Sequence, residues 1–71
     1  MKQAHFICKD ANGSRLYLGM NTNTCRPEWI HEAIVTKIMV DLYPLVYTKR
    51  EYAEASAAKI GDGAYAFTIN Y

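Results

Sequence analysis

Two short, mainly apolar runs stand near the start of the chain. The first is His5-Phe6-Ile7-Cys8-Lys9 and the second Arg15-Leu16-Tyr17-Leu18-Gly19-Met20. Between them stands Asp10-Ala11-Asn12-Gly13-Ser14. Asn-Gly between two apolar runs marks a β-hairpin, because both residues tolerate positive φ. A period of two puts Phe6 and Cys8 on one face of the first arm, and Leu16, Leu18 and Met20 on one face of the second. Apolar groups fall on both faces, so the sheet is expected to be partly covered on both sides.

The pattern then loosens. Asn21-Thr22-Asn23-Thr24 reads as a polar loop. Pro27-Glu28-Trp29 reads as a helix start with proline in the first turn. Trp29, Ile30, Ala33 and Ile34 suit a short helix, but Lys37 and Asp41 would interrupt its apolar stripe. As a strand, Ile34, Ile38, Val40 and Leu42 share one face, with Lys37, Met39 and Asp41 on the other. The β-branched content favours the strand. Two readings stand here: a helical turn followed by a strand near 33–41, or a single helix over 27–41.

Period 3.6 returns with Thr48-Lys49-Arg50-Glu51, which matches a capping box, with Tyr47 and Tyr52 placed for a hydrophobic staple. The predicted helix runs to about Ile60 and buries Tyr52, Ala53, Ser56, Ala57 and Ile60. Gly61-Asp62-Gly63 ends it, with Gly61 as a left-handed cap. Ala64 to Tyr71 alternates again, with Tyr65, Phe67, Ile69 and Tyr71 on one face of a closing strand. The elements do not alternate as in a doubly wound fold. They predict an α+β domain: a small antiparallel sheet made of the hairpin, a third strand and the C-terminal strand, with a helix near 49–60 packed on one face.

Composition narrows the function. The chain has 71 residues, a net charge of +1, 51% hydrophobic and 13% aromatic residues. That is one small domain. It excludes a disordered tail. The small positive surplus argues against a generic polyanion binder. The N-terminal apolar stretch is too short and too charge-broken for a signal core, and no run is long enough for a membrane span. The expectation is a cytoplasmic protein, with Cys8 and Cys25 as reduced thiols behaving as small hydrophobes.

No chemistry-bearing constellation matches a known spacing. His5, Cys8, Cys25 and His31 lack the spacing of zinc ligands, and on a strand His5 and Cys8 point to opposite faces. No metal or other cofactor is expected. Cys25 with His31 could pair a nucleophile with a base, but no third orienting group accompanies them, so a small thiol enzyme ranks last. Glu28 and Glu32 read as solvated first-turn acids. Gly61-Asp62-Gly63 follows a helix, not a strand, and is no phosphate loop. Lys49, Arg50 and Lys59 are interrupted by Glu51 and Glu54. Tyr17, Tyr65 and Phe67 could stack bases, yet the aromatic-basic strand motif of RNA-recognition domains is absent, so direct nucleic-acid binding is the second reading. Six tyrosines and one tryptophan remain. Tyrosine gives large contact area at low entropy cost and suits protein interfaces. Tyr17, Trp29 and Tyr43, with Arg26 near Trp29, are the candidate binding residues of a non-catalytic protein-binding module. An exposed terminal strand would also let two copies pair as a homodimer.

The arrangement resembles small proteins encoded by bacteriophages and prophages. The residues that carry the likeness are Phe6 to Met20, Glu28-Trp29, Val46-Tyr47-Thr48 through Ala53 and Ala57, and Tyr65 to Ile69. The segment from Ala33 to Pro44 departs from it by being longer. Proteins of this shape include anti-CRISPR inhibitors, so the resemblance implies a partner that is a host protein or nucleoprotein complex, bound by occlusion in the host cytoplasm. Such inhibitors share no common motif, and no residue role carries over.

Overall fold

The computed structural model describes residues 2–35 and 42–71. Its elements run β1 (Gln3–Ala11), β2 (Ser14–Asn21), β3 (Arg26–His31), α1 (Glu32–Val35), β4 (Leu42–Pro44), α2 (Arg50–Ile60) and β5 (Tyr65–Asn70). The five strands form one antiparallel sheet in the order β3-β2-β1-β5, with β4 also paired to β2. With α2 packed on the sheet, the chain has the expected α+β architecture.

The hairpin forms where Asn-Gly demands it. Ala11 pairs with Ser14, and Asn12 and Gly13 both hold positive φ, 53° and 79°. This is the two-residue turn whose twist matches the flanking strands. Cross-strand partners share a face, so the register sorts every side chain. On the helical face lie Ile7, Leu18, Trp29 and Ala66. On the other, aromatic, face lie Phe6, Cys8, Tyr17, Ile30, Tyr65 and Phe67.

Ile7 and Leu18 meet Ala53 and Ala57 of α2, and Trp29, Leu45, Tyr47, Ala64 and Ala66 pack around them. Two alanines at i and i+4 bring the helix backbone close to the sheet while keeping full helix propensity. The buried stripe is narrower than its sequence suggested. Tyr52 is 54% and Ile60 42% exposed. A single small domain cannot cover a wider one, and the two alanines fill the available contact.

The helix entry also differs from the expected capping box. Lys49 is the N-cap, in an extended conformation, with no side-chain cap bond. Tyr47 N–H donates to the His5 carbonyl at 2.8 Å. That bond fixes the approach, and the chain bends through Thr48 and Lys49 before the first helical residue. Glu51 therefore arrives one position early for the box. The Tyr47–Tyr52 staple does not form, since Tyr47 packs inward and Tyr52 outward. At the exit Gly61 has positive φ but ψ of −147°, outside the left-handed helical well. Only glycine occupies that region cheaply.

The largest correction concerns Pro27. It lies inside a strand, paired with Met20, and not at a helix start. Both readings of 27–41 fail over 27–35: strand comes first and the helical turn second. Residues 36–41 of the expected strand, Lys37 among them, lie outside the described residues. The proline is tolerated because β3 is an edge strand. Leu45 N–H donates to the Leu18 carbonyl at 3.0 Å, on the side of β2 that also faces β1. Tyr17 and Gly19 then turn their backbone groups to β3, and their partners Ile30 and Glu28 turn back to β2. Pro27, Trp29 and His31 are left facing outward. The missing N–H of Pro27 removes a bond the ladder never makes.

The sheet is forked. β3 takes one edge of β2 over Leu16–Asn21, while the other edge pairs with β1 at Ser14–Tyr17 and with β4 at Gly19–Asn21. Chain 42–47 thus fills the gap where β1 and β2 diverge, and the His5–Tyr47 bridge closes it. Gly19 sits at the split. A Cβ there would stand 2.5 Å from the Tyr43 carbonyl oxygen and collide with the Ile30 side chain.

Candidate protein-binding surface

The four residues expected to bind together are dispersed. Tyr17 is on the aromatic face and 7% exposed. Trp29 is on the helical face, half-buried against the core, with Lys9 Nζ 4.6 Å from its ring centroid. Arg26 is exposed at the start of β3, paired with Asn21. Tyr43, opposite Met20 on β4, is 45% exposed and is the one aromatic of the set that meets solvent broadly.

The aromatic face forms a second packed layer. Phe6 and Phe67 meet Tyr17 edge-on, at centroid distances of 5.5 and 6.3 Å. The Arg15 guanidinium lies 4.0 Å over Phe67. Its Nε is buried without a hydrogen-bond partner among the described residues. The ring quadrupole beneath it supplies the compensation. Tyr65 donates its hydroxyl to Asp10 Oδ1 at 3.0 Å. Burial pushes the Tyr65 phenol above its ordinary value. Burial likewise pushes the Cys8 thiol up to about 11. Of the rings considered for base stacking, Tyr17 and Phe67 are engaged by one another, by Phe6 and by Arg15.

The thiol pair does not assemble either. Cys25 is exposed at positive φ, its Sγ 3.7 Å from the Thr22 carbonyl. His31 stands at the far end of β3, about 20 Å away at ~3.3 Å per strand residue. Its Nδ1 accepts the Ala33 N–H at 3.0 Å. His5 is buried on the helical face and hydrogen-bonded to Thr68 Oγ1 at 2.8 Å, whereas Cys8 is buried on the opposite face. Among the described residues no three His, Cys, Asp or Glu side chains converge on a metal position. Nor is any helix among them long and apolar enough to cross a membrane.

The solvent-facing large apolar groups lie elsewhere. Tyr43, Val46 (59%) and Tyr52 (54%) fall within ten residues of one another. Tyr43 and Val46 stand on the segment that fills the fork, and Tyr52 on the first turn of α2 beyond it. The backbone of that segment is pinned on both sides, by Leu45 to Leu18 and by Tyr47 to His5. Leu45 and Tyr47 anchor inward between them. A second group, Ile69 (38%) and Tyr71 (71%), ends the chain. The sequence carried Tyr43 as a candidate. It hid Tyr52, which helical period assigned to the core, and Val46, which lies in no periodic run.

The chain matches no protein-family model, no curated protein and no solved structure.

Proposed function

We propose that this chain is a non-catalytic protein-binding module that engages its partner through Tyr43, Val46 and Tyr52. The observation that carries the reading is that Tyr43 and Val46 are exposed on a pinned segment and Tyr52 on the helix that this segment leads into. Holding aromatic groups on a rigid backbone lowers the entropy lost on association. Two tyrosines and a valine held in this way offer apolar contact area at low entropy cost. The narrower form, a phage-borne inhibitor that occludes a host nucleoprotein complex in the host cytoplasm, rests on the resemblance of overall shape.

The test is affinity capture by the tagged chain from a bacterial lysate, with and without nuclease, using the wild type and a Tyr43→Ala/Tyr52→Ala variant. A stoichiometric protein that survives nuclease and is lost from the variant, whose melting temperature is unchanged, supports the reading. Capture that nuclease abolishes transfers it to nucleic acid. Capture equal in both chains removes these side chains from the interface.

A further inference from the structure

The outer edge of β5 carries an unused hydrogen-bonding ladder whose pattern can be read. Lys2 N–H donates to the Tyr71 carbonyl and Tyr71 N–H to the Lys2 carbonyl, both at 2.9 Å. Exchange of both bonds makes Lys2 and Tyr71 a hydrogen-bonded antiparallel pair, and such pairs alternate along the ladder. The pairs Ala4–Ile69, Phe6–Phe67 and Cys8–Tyr65 are therefore of the same kind. The intervening residues of β5, Ala66, Thr68 and Asn70, turn their N–H and C=O groups away from β1. The donation of Tyr47 to His5, on the opposite edge of β1, agrees with this phase. β5 is a terminal strand of the sheet, and among the described residues no strand pairs with that edge.

Nothing on β5 guards the edge. From Ala64 to Tyr71 the chain has no charged side chain, no proline and no glycine. Native sheets blunt exposed edges with such residues, and a bare edge pairs with another strand. The outward groups are also symmetric about Thr68. An antiparallel two-fold axis through that residue sets Thr68 against Thr68 of the second copy, and Ala66 against its Asn70. All three outward donors and all three outward acceptors of each chain then find partners, six hydrogen bonds by the antiparallel rule. The same register places Phe67 beside Ile69 of the second copy on the aromatic face, and Tyr65 beside its Tyr71. Ile69 and Tyr71, left open in the single chain, gain apolar neighbours and meet no like charge.

We infer that the chain forms a two-fold homodimer by antiparallel β5–β5 pairing centred on Thr68, joining two sheets edge to edge. The surface is distinct from Tyr43, Val46 and Tyr52, so the dimer stands apart from the partner proposed for those residues.

The test is sedimentation equilibrium of the full chain over roughly micromolar to millimolar concentration, the affinity range of a small interface. Mass should rise from one chain to two. Asn70→Pro removes an outward N–H without touching a β1 bond, and Ile69→Glu puts a carboxylate against Phe67 of the second copy. Each, shown folded by circular dichroism, should weaken the dimer by about tenfold or more, which for Asn70→Pro is the scale of its two lost hydrogen bonds, one in each chain. Amide exchange of the unaltered chain provides a reading that needs no variant. Ala66, Thr68 and Asn70 should become protected as concentration rises, while Phe67 and Ile69 are protected throughout. A single-chain mass at every concentration overturns the inference. So does a dimer that both folded variants preserve, or exchange at 66, 68 and 70 that ignores concentration.

Discussion

The two edges of this sheet are built on opposite plans. On the β3 edge the outward backbone positions are Pro27, Trp29 and His31, flanked by Arg26 and Glu28. Proline offers no donor there, and His31 turns its ring nitrogen to the Ala33 N–H as the chain leaves the sheet. Trp29 folds inward under Lys9, which also pairs with Asp62 at 3.1 Å. On the β5 edge the outward positions are Ala66, Thr68 and Asn70, in a strand without charge. One edge spends its large aromatic on the core and lacks a donor in its ladder at Pro27. The other leaves its ladder open and its terminal tyrosine in water. The difference teaches that edge protection is a property of each strand's sequence and register, not of the sheet as a whole.

Substitution should separate the two edges most sharply at their aromatics. Trp29→Ala is expected to lower folding stability by about 2–4 kcal/mol, as for other large aromatic truncations in partly buried sites. Tyr71→Ala should cost less than about 0.5 kcal/mol in the single chain. Chemical denaturation of both variants at low concentration checks the contrast, and equal losses would erase it. Gly19→Ala comes next, at about 1–3 kcal/mol, because the added methyl meets a backbone carbonyl that cannot move aside. Its loss should appear in amide exchange of β3 and β4 before that of the β1–β5 ladder.

Alkali should act from the β5 side, where Cys8 stands opposite Tyr65. Burial pushes the folded Cys8 thiol up to about 11 from an ordinary 9.0. A raised acid is favoured protonated in the fold, so its contribution is complete below pH 9 and is lost as pH rises towards 11. The melting temperature should fall across that window, and Cys8→Ala should flatten the fall. A decline of the same slope in the variant would move the cause elsewhere. Asp62→Asn, which removes the exposed ion pair but keeps a side chain that tolerates the positive φ of 56° at this position, should have the smallest effect, within about 0.5 kcal/mol by thermal melting.

Where the sequence read well, the deciding interactions were local. Asn12-Gly13 set the hairpin because both turn residues need positive φ and few other pairs accept it. Ala53 and Ala57 at helical spacing, ended by Gly61, set the helix. Alternation from Tyr65 to Ile69 set the last strand and its faces. Where it misled, the deciding partner was distant. Pro27 suits the first turn of a helix or the outer side of an edge strand equally well. Only the phase of β2, fixed by Leu45 on Leu18, places its missing N–H outward. Trp29 looked unassigned because the core it packs against comes from β1, β2 and α2 together. Tyr52 looked buried because period alone does not say how wide a stripe the sheet can cover.

By itself, then, the sequence determined the hairpin, the helix, the closing strand and their α+β assembly, since turn chemistry and hydrophobic period act over a few residues. Tertiary structure decided the fork at Gly19, the inward turn of Trp29, the exposure of Tyr43, Val46 and Tyr52, and which backbone groups of β3 and β5 face solvent. Those depend on pairing phase between strands far apart in the chain. A shift of one residue in that phase exchanges inward and outward for every group along the strand.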